Sequence, residues 1–177
     1  MDDFDLYNLL LDLNSADQGV REAAYSTLIG LGEAVVPHLL SEYDRIAGGA
    51  RISVIRALGE IGDARAVPLL LETMRDRAPD SYFMLPSLAA NALGQIGGEE
   101  AVRGLVGHLS DANPGVRRMA ARVLGRFSGE QADRAVDGLR GALADHDEKV
   151  RAIAAESLQR IGTPGAIAAL DSGNHRH

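Results

Sequence analysis

The chain of 177 residues contains no cysteine, no tryptophan, three phenylalanines and four tyrosines. The lack of cysteine excludes disulfide bonds, thiolate metal sites and cysteine nucleophiles. With so few aromatic residues, the core contacts have to be made mainly by Leu, Ile, Val and Ala, which are small enough for close packing of helices. The composition therefore favours a fold held together by aliphatic contacts between helices.

Basic residues are outnumbered by acidic ones, 18 to 25, so that the net charge is −7. Phosphate backbones bind to basic surfaces, and we therefore expect no nucleic-acid partner. Lys149 is the only lysine, and the other basic residues are all arginines. A GC-rich coding sequence is one explanation for this bias, and selection for fork-shaped ion pairs is the other.

No apolar stretch approaches the length of about 20 residues that a helix needs to span a bilayer. The first five residues, Met1-Asp-Asp-Phe-Asp5, are acidic, whereas a secretory signal begins with basic residues. We therefore expect a cytoplasmic protein that has no membrane partner.

The sequence contains no set of residues that is typical of a catalytic, metal or cofactor site. Its five histidines lie at non-equivalent places, and a metal site needs three or four ligands that converge. No phosphate-binding loop follows a predicted strand. We expect a protein with no catalytic residues, no metal and no cofactor. The histidines are His38, His108, His146, His175 and His177.

One short phrase occurs five times along the chain, and its leading leucines are separated by 30, 35, 31 and 34 residues. A period of this length in apolar helical sequence predicts stacked helix pairs rather than a globule around one core. The copies are Leu28-Ile-Gly-Leu-Gly32, Leu58-Gly-Glu-Ile-Gly62, Leu93-Gly-Gln-Ile-Gly97, Leu124-Gly-Arg-Phe-Ser-Gly129 and Leu158-Gln-Arg-Ile-Gly162.

Each phrase ends a segment with apolar residues at i, i+4 and i+8, which predicts the second helix of each pair. The predicted second helices span 18–30, 50–60, 85–95, 115–126 and 148–160. The last glycine of each phrase is typical of a left-handed C-cap, because a Cβ would clash there. A further apolar helix, the first of the next pair, is predicted to follow each of these glycines.

The strings Asp17-Gln-Gly-Val-Arg21, Asn113-Pro-Gly-Val-Arg117 and Asp147-Glu-Lys-Val-Arg151, each followed by the phrase, resemble HEAT repeats. More narrowly, they are similar to the HEAT-like repeats of phycobilin lyases. The resemblance implies an all-α fold, a right-handed α-α superhelix of five helix pairs plus a partial sixth. It implies one domain over residues 1–170 and a disordered tail over 171–177. The repeats span about 5–32, 33–62, 63–97, 98–129 and 130–162, with the partial repeat over 163–170.

The resemblance also implies that the Asp or Asn of each turn and the Arg of the second helix form a hydrogen-bonded ladder between repeats. The matching turn positions of repeats two and three hold Ala47 and Tyr82, so we expect the ladder to break there. These arginines are interpreted as part of the scaffold.

The turn of repeat three is longer than that of repeat four and places Tyr82, Phe83 and Met84 together. Aromatic residues and Met are favoured at the centres of interfaces, so this segment is a candidate anchor for a partner. The alternative is that Phe83 or Leu85 covers the core.

The outward positions of the second helices carry a polar, locally basic stripe. In a stack of helix pairs these helices are expected to line the concave face, where partners lie. The stripe is a candidate site for an acidic or extended protein segment. The alternative is a solvated face that Glu60 and Glu99 balance. The stripe residues are Arg56, Asn91, Arg118, Arg122 and Arg126.

These features predict a non-enzymatic scaffold that binds another protein along the concave face. Two other functions stay open: a subunit of a bilin lyase-like or chaperone-like complex, and a self-assembling structural module. The sequence does not indicate the partner, the biological process, the oligomeric state or the curvature of the stack.

Overall fold

The computed structural model describes residues 3–46, 48–75 and 84–174, and in these ranges the chain forms eleven α-helices and no strand. The predicted all-α fold is confirmed. The helices are α1 (Asp3–Asp12), α2 (Gln18–Gly30), α3 (Val36–Glu42), α4 (Gly48–Ile61), α5 (Val67–Thr73), α6 (Leu85–Ile96), α7 (Gly98–His108), α8 (Pro114–Leu124), α9 (Gly129–Ala142), α10 (Glu148–Ile161) and α11 (Pro164–Asn174).

The chain divides into two compact units, Met1–Ile96 and Gly97–His177. In the N-terminal unit α2 packs against α1 and α4, and α6 packs against α4 and α5. In the C-terminal unit α8 packs against α7 and α10, and α10 also packs against α9 and α11. The predicted second helices correspond to α2, α4, α6, α8 and α10, with ends that agree to within two residues.

The last helix, α11, ends at Asn174. Residues 171–174 of the predicted tail are therefore helical, and residues 175–177 lie outside the described part of the chain. The prediction of disorder is wrong for those four residues. The apolar pattern of α11 ends at Leu170, but the helix continues beyond it. The single domain over residues 1–170 stays a prediction.

The apolar stripe of the second helices forms the core of each unit. In α4, Val54 and Leu58 are fully buried, and in α10 Ala154 and Leu158 are fully buried. Full burial of a leucine side chain contributes about 1.5–3 kcal/mol to stability. Val20, the first residue of the stripe in α2, is the exception, since 39% of its surface is exposed.

The last glycine of the phrase has a positive φ in all five copies, at Gly32, Gly62, Gly97, Gly129 and Gly162. A positive φ is a conformation that favours glycine, but Gly97 is the N-cap of α7 and Gly129 is the first residue of α9, so neither is the predicted left-handed C-cap. Gly162 itself is the left-handed C-cap of α10, with its N–H bonded to the Leu158 carbonyl. The C-cap of α2 is instead Leu31, one residue before Gly32.

In two copies of the phrase, the glycine after the leading leucine has a different role, which is to let two second helices come close together. A Cβ on Gly59 of α4 would lie 2.8 Å from the Ala92 Cα of α6. Likewise, a Cβ on Gly125, directly after α8, would lie 2.8 Å from the Ser157 Cα of α10. These distances are shorter than carbon–carbon contacts allow, so only glycine fits without a backbone shift.

We expect Gly125→Ala to destabilise the protein by about 1–3 kcal/mol, because the new methyl group overpacks the contact between α8 and α10. The matched control is Gly141→Ala, since nothing lies within 4 Å of a Cβ at Gly141. That control should be neutral or stabilising by up to about 1 kcal/mol. Urea unfolding followed by circular dichroism measures both. Equal stability of the two variants would show that the close contact between α8 and α10 does not require glycine at position 125.

Candidate partner-binding site

An arginine near the start of a second helix binds the turn that precedes it, in every repeat but the third, where Pro86 takes its place. Arg21 Nη1 donates to the carbonyls of Ser15 and Ala16, at 2.7 and 2.8 Å. Arg117 and Arg151 repeat this arrangement, and their Nη1 atoms lie 2.8 Å from the carbonyls of Asp111 and Asp145, respectively. These side chains therefore fix each turn to the helix that follows it. Their donors are used within the scaffold.

The acidic or amide residue of each turn caps its own helix, so the predicted ladder between it and the arginine was wrong. The Oδ1 atoms of Asp17 and Asp147 accept the N–H groups of Val20 and Val150, at 3.1 and 2.9 Å. Asn113 Oδ1 accepts the N–H of Gly115 at 2.9 Å. Because a capping oxygen is directed at its own helix terminus, it does not reach the arginine.

The more buried of two ion pairs that join the fourth and fifth repeats lies between Arg117 of α8 and Asp145 in the turn before α10. Nε and Nη2 of Arg117 donate to Oδ2 and Oδ1 of Asp145, both at 2.8 Å. The side chains are only 14% and 10% exposed. The hydrogen bonds from Arg117 hold the pKa of Asp145 below its usual range, and Asp145 in turn raises the pKa of Arg117.

Repeat two obtains its helix cap from another repeat. Its own capping position holds Ala47, which has no side-chain acceptor and lies outside the described residues, as does Tyr82 in repeat three. Asn14, from the turn before α2, accepts the Ala50 N–H of α4 at 2.8 Å. Gly48 permits this approach, because its φ is +64° and a Cβ there would lie 2.9 Å from Asn14 Oδ1.

Asp145→Asn should lower the free energy of unfolding by about 2 kcal/mol at neutral pH, since a largely buried Arg117 then loses its counter-charge. The folded-state pKa of Asp145 is depressed, so its contribution is present above the unfolded pKa of about 3.9 and is lost as the pH falls through the folded value. The difference between wild type and variant should therefore shrink below about pH 4. Urea titrations at pH 7 and pH 3 measure this difference.

Asp137→Asn is the control, since Asp137 pairs with Arg140 at the surface, at 3.7 Å. An exposed pair contributes about 0–1 kcal/mol, so this variant should be close to wild type at both pH values. A pH-independent loss in Asp145→Asn would contradict the assigned role of the charge.

The five stripe residues all lie on second helices or directly after one. Arg56 and Asn91 are exposed on α4 and α6 of the N-terminal unit. Arg118 and Arg122 lie one turn apart on α8, and Arg126 follows after one further turn. Arg118 is half-buried, whereas Arg122 and Arg126 are exposed. The C-terminal unit thus brings three arginines of the stripe to one helix face.

Three of these arginines have no acidic partner among the described residues. Arg118, Arg122 and Arg56 make no hydrogen bond or ion pair there, although Arg56 stacks on a tyrosine ring. Other exposed arginines are paired: Arg45 binds Glu42 at 3.0 Å, and Arg160 binds Glu156 at 2.7 Å. The charges of Arg56, Arg118 and Arg122 are therefore not used in ion pairs within the described part of the fold.

The two carboxylates that could balance the stripe bind other residues. Glu99 pairs with Arg134 and, at 3.6 Å, with Arg103. The hydrogen bond from Arg134 lowers the pKa of Glu99. Glu60 accepts a hydrogen bond from Tyr25 at 2.8 Å.

The candidate anchor in the turn of repeat three is only partly described. Met84, directly before α6, is 58% exposed. Tyr82 and Phe83 lie outside the described residues. Their role, as an anchor or as a cover of the core, stays a prediction.

The described residues contain no group of three or more His, Asp or Glu side chains that could hold a metal ion. No single helix among them is long and apolar enough to cross a membrane; the pair Gln18–Gly30 and Gly32–Arg45 reaches that length and composition only with a bend of 94°.

The architecture defines the class of protein as a repeat protein built from α-helix pairs. The sequence profile of HEAT repeats matches residues 36–112, 77–133 and 107–173. The chain therefore belongs to the HEAT-repeat family. No curated protein sequence matches it at a significant level.

Solved structures give the same fold. The complex of CpcE and CpcF of phycocyanin lyase from Nostoc sp. PCC7120 contains a chain that is 26% identical, with a TM-score of 0.60 over 88% of this chain and 99% of that one. This confirms the resemblance to lyase-type HEAT-like repeats. An engineered protein is 22% identical with a TM-score of 0.50, over 99% of this chain and 86% of that one. A designed armadillo repeat protein in complex with the peptide (KR)4 is 18% identical with a TM-score of 0.49, over 94% and 87% of the two chains.

Proposed function

We propose that the protein is a non-enzymatic scaffold that binds an acidic segment of another protein through the outward faces of its second helices. The observation that carries the proposal is the pair of unpaired guanidinium groups on α8, Arg118 and Arg122. Arg126 extends this face by one turn. We call these three residues the α8 arginine face.

The partner is assigned an acidic character on the basis of charge. An unpaired guanidinium offers planar donors that match a carboxylate, and each charge-assisted hydrogen bond contributes about 1.5–3 kcal/mol. The net charge of the chain is −7, so a basic face on this background steers an acidic segment to one place.

The spacing of the arginines suits an extended segment. Residues four apart on a helix are separated by about 6 Å along its axis. Alternate residues of an extended chain are separated by about 6.6 Å, so carboxylates at every second position fall opposite successive arginines. In the N-terminal unit, Arg56 offers a further guanidinium and Asn91 an amide. Met84, with Tyr82 and Phe83 beside it in the sequence, would add an apolar anchor.

Arg118→Glu combined with Arg122→Glu should weaken binding of an acidic peptide at least about tenfold, since attraction becomes repulsion at two positions. A fluorescein-labelled peptide of alternating Glu and Ser is the probe, and fluorescence anisotropy measures its affinity. A Gln–Ser peptide should not bind. Wild-type affinity should fall with added salt, because the contacts are exposed.

The matched control is Arg103→Glu combined with Arg140→Glu, which changes the net charge equally in the same unit. Both of these arginines are exposed and already paired with carboxylates. The control should retain most of the affinity. An equal loss in the two double variants would mean that binding follows net charge and not the α8 arginine face.

A second candidate function is supported by the similarity to the phycocyanin lyase complex, which spans 99% of the matched chain. In this case the protein would be one subunit of a two-chain lyase-like complex. Purified protein mixed with a bilin should then change the visible absorption of the pigment, as recorded by difference spectroscopy. An unchanged spectrum, with the protein alone and after co-expression with a second HEAT-like chain, would remove this function.

A further inference from the structure

A polar groove of about 630 Å³ lies between α2 and α4, entirely within the N-terminal unit. The stripe residue Arg56 lines it, together with residues that the repeat pattern does not single out. Its other principal lining residues are Gln18, Glu22, Tyr25, Ser26 and Ser53.

Tyr25 departs from the repeat at a packing position. The equivalent residues of the other second helices are Ile55, Ala90, Ala121 and Ala155. Instead of filling the core, the half-buried phenol donates to Glu60 Oε1 at 2.8 Å. Its burial, and then this hydrogen bond, raise the pKa of Tyr25.

Tyr25 in turn positions Arg56. The guanidinium carbon of Arg56 lies 5.1 Å from the centroid of the Tyr25 ring, within the range of a cation–π contact. A ring contact leaves the N–H groups of the guanidinium edge unused, and Arg56 has no hydrogen-bond acceptor among the described residues. The guanidinium group of Arg56 is therefore held in place by the Tyr25 ring, and its N–H donors remain available.

Two hydroxyl groups beside it are also available. The Ser26 and Ser53 hydroxyls make no hydrogen bond within the described part of the chain. By contrast, the hydroxyls of Thr27 and Thr73 bond back to carbonyls of their own helices, at 2.9 and 2.8 Å. Arg21 also lines the groove, but its guanidinium binds the carbonyls of Ser15 and Ala16. The groove thus combines the available guanidinium fork of Arg56 with two uncommitted hydroxyls, a donor set for an oxyanion.

The acidic residues of the groove limit which oxyanion fits. Glu22 accepts from Gln18 at 2.7 Å, and Glu60 accepts from Tyr25. Carboxylate groups in a groove repel a dianion such as phosphate more strongly than a monoanion. A basic group next to a bound carboxylate would instead be attracted to them.

We propose that the groove between α2 and α4 is a second peptide-binding site, which takes a carboxylate against Arg56, Ser26 and Ser53, with a neighbouring basic residue directed at Glu22 or Glu60. The carboxylate is either an acidic side chain or a peptide C-terminus. The site deepens the proposed scaffold function by adding a partner group of mixed charge.

Titration of the ¹⁵N-labelled full chain, followed by NMR, tests the site with three short N-acetylated peptides. One contains Glu-Lys and ends in an amide, one contains Gln-Lys and ends in a free carboxylate, and one contains Gln-Lys and ends in an amide. At least one of the first two should shift the amide signals of Ser53 and Arg56, and the third should not. The peptide that binds shows whether the carboxylate comes from an acidic side chain or from a peptide C-terminus.

Arg56→Gln should reduce the affinity for the binding peptide about tenfold, which corresponds to the loss of one charge-assisted contact. Ser53→Ala should reduce it severalfold. Arg45→Gln is the control in the same unit, because Arg45 is exposed and paired with Glu42. It should leave the affinity unchanged.

Three results would overturn the site. The first is equal binding of the Gln-Lys peptide that ends in an amide, and the second is tighter binding of inorganic phosphate than of either carboxylate-bearing peptide. The third is wild-type affinity in Arg56→Gln. These outcomes are independent of the α8 arginine face, since variants of Arg118 and Arg122 leave the groove residues intact. Failure of one site is thus distinguished from failure of the other.

Discussion

The close contact between successive second helices is the constraint on which the rest of the structure depends. Gly59 against Ala92, and Gly125 against Ser157, bring helix backbones so near that no side chain fits between them. This contact commits one side of each second helix to the core, where the residues of the apolar stripe are buried. Only the opposite side is left for recognition, which is why both proposed sites lie on the second helices.

The turns hold these helices by local hydrogen bonds, and each bond has its own donor. The capping oxygen of Asp17 or Asp147 binds the helix terminus, while Arg21 or Arg151 binds the turn carbonyls. Between repeats, Arg117 donates to the carboxylate of Asp145, and Arg134 pairs with Glu99. Cohesion between the described repeats therefore comes mainly from apolar packing, and these two ion pairs add to it in the C-terminal unit.

The fold was predictable from the sequence because periodic apolar residues and glycines act locally. The leucine of each phrase marked a buried residue, and its last glycine marked a positive φ. Partners from distant parts of the chain were not predictable. Asn14 caps α4 from 36 residues away, and Asp145 rather than Asp147 binds Arg117. The candidate site is predictable in part, since Arg56 belongs to the stripe, whereas Tyr25, which positions it, falls at a packing position of the repeat. The signal was its size at a position that is otherwise aliphatic.

The pairing of the arginines bears on why the chain contains so many of them. A GC-rich coding sequence explains their number but not their distribution. Arg103 and Arg160 have a carboxylate four residues earlier on the same helix, and Arg45 has one three residues earlier, at the end of α3. On α8, the positions three and four residues from Arg118 and Arg122 hold only Pro, Gly, Ala, Met or another Arg. Like charges four residues apart destabilise a helix by about 0.2–0.5 kcal/mol per pair, and Arg118 and Arg122 form such a pair on α8. A face that serves only solubility gains nothing from this repulsion. A carboxylate-bearing partner removes it, so the same charges that weaken the isolated helix strengthen the complex.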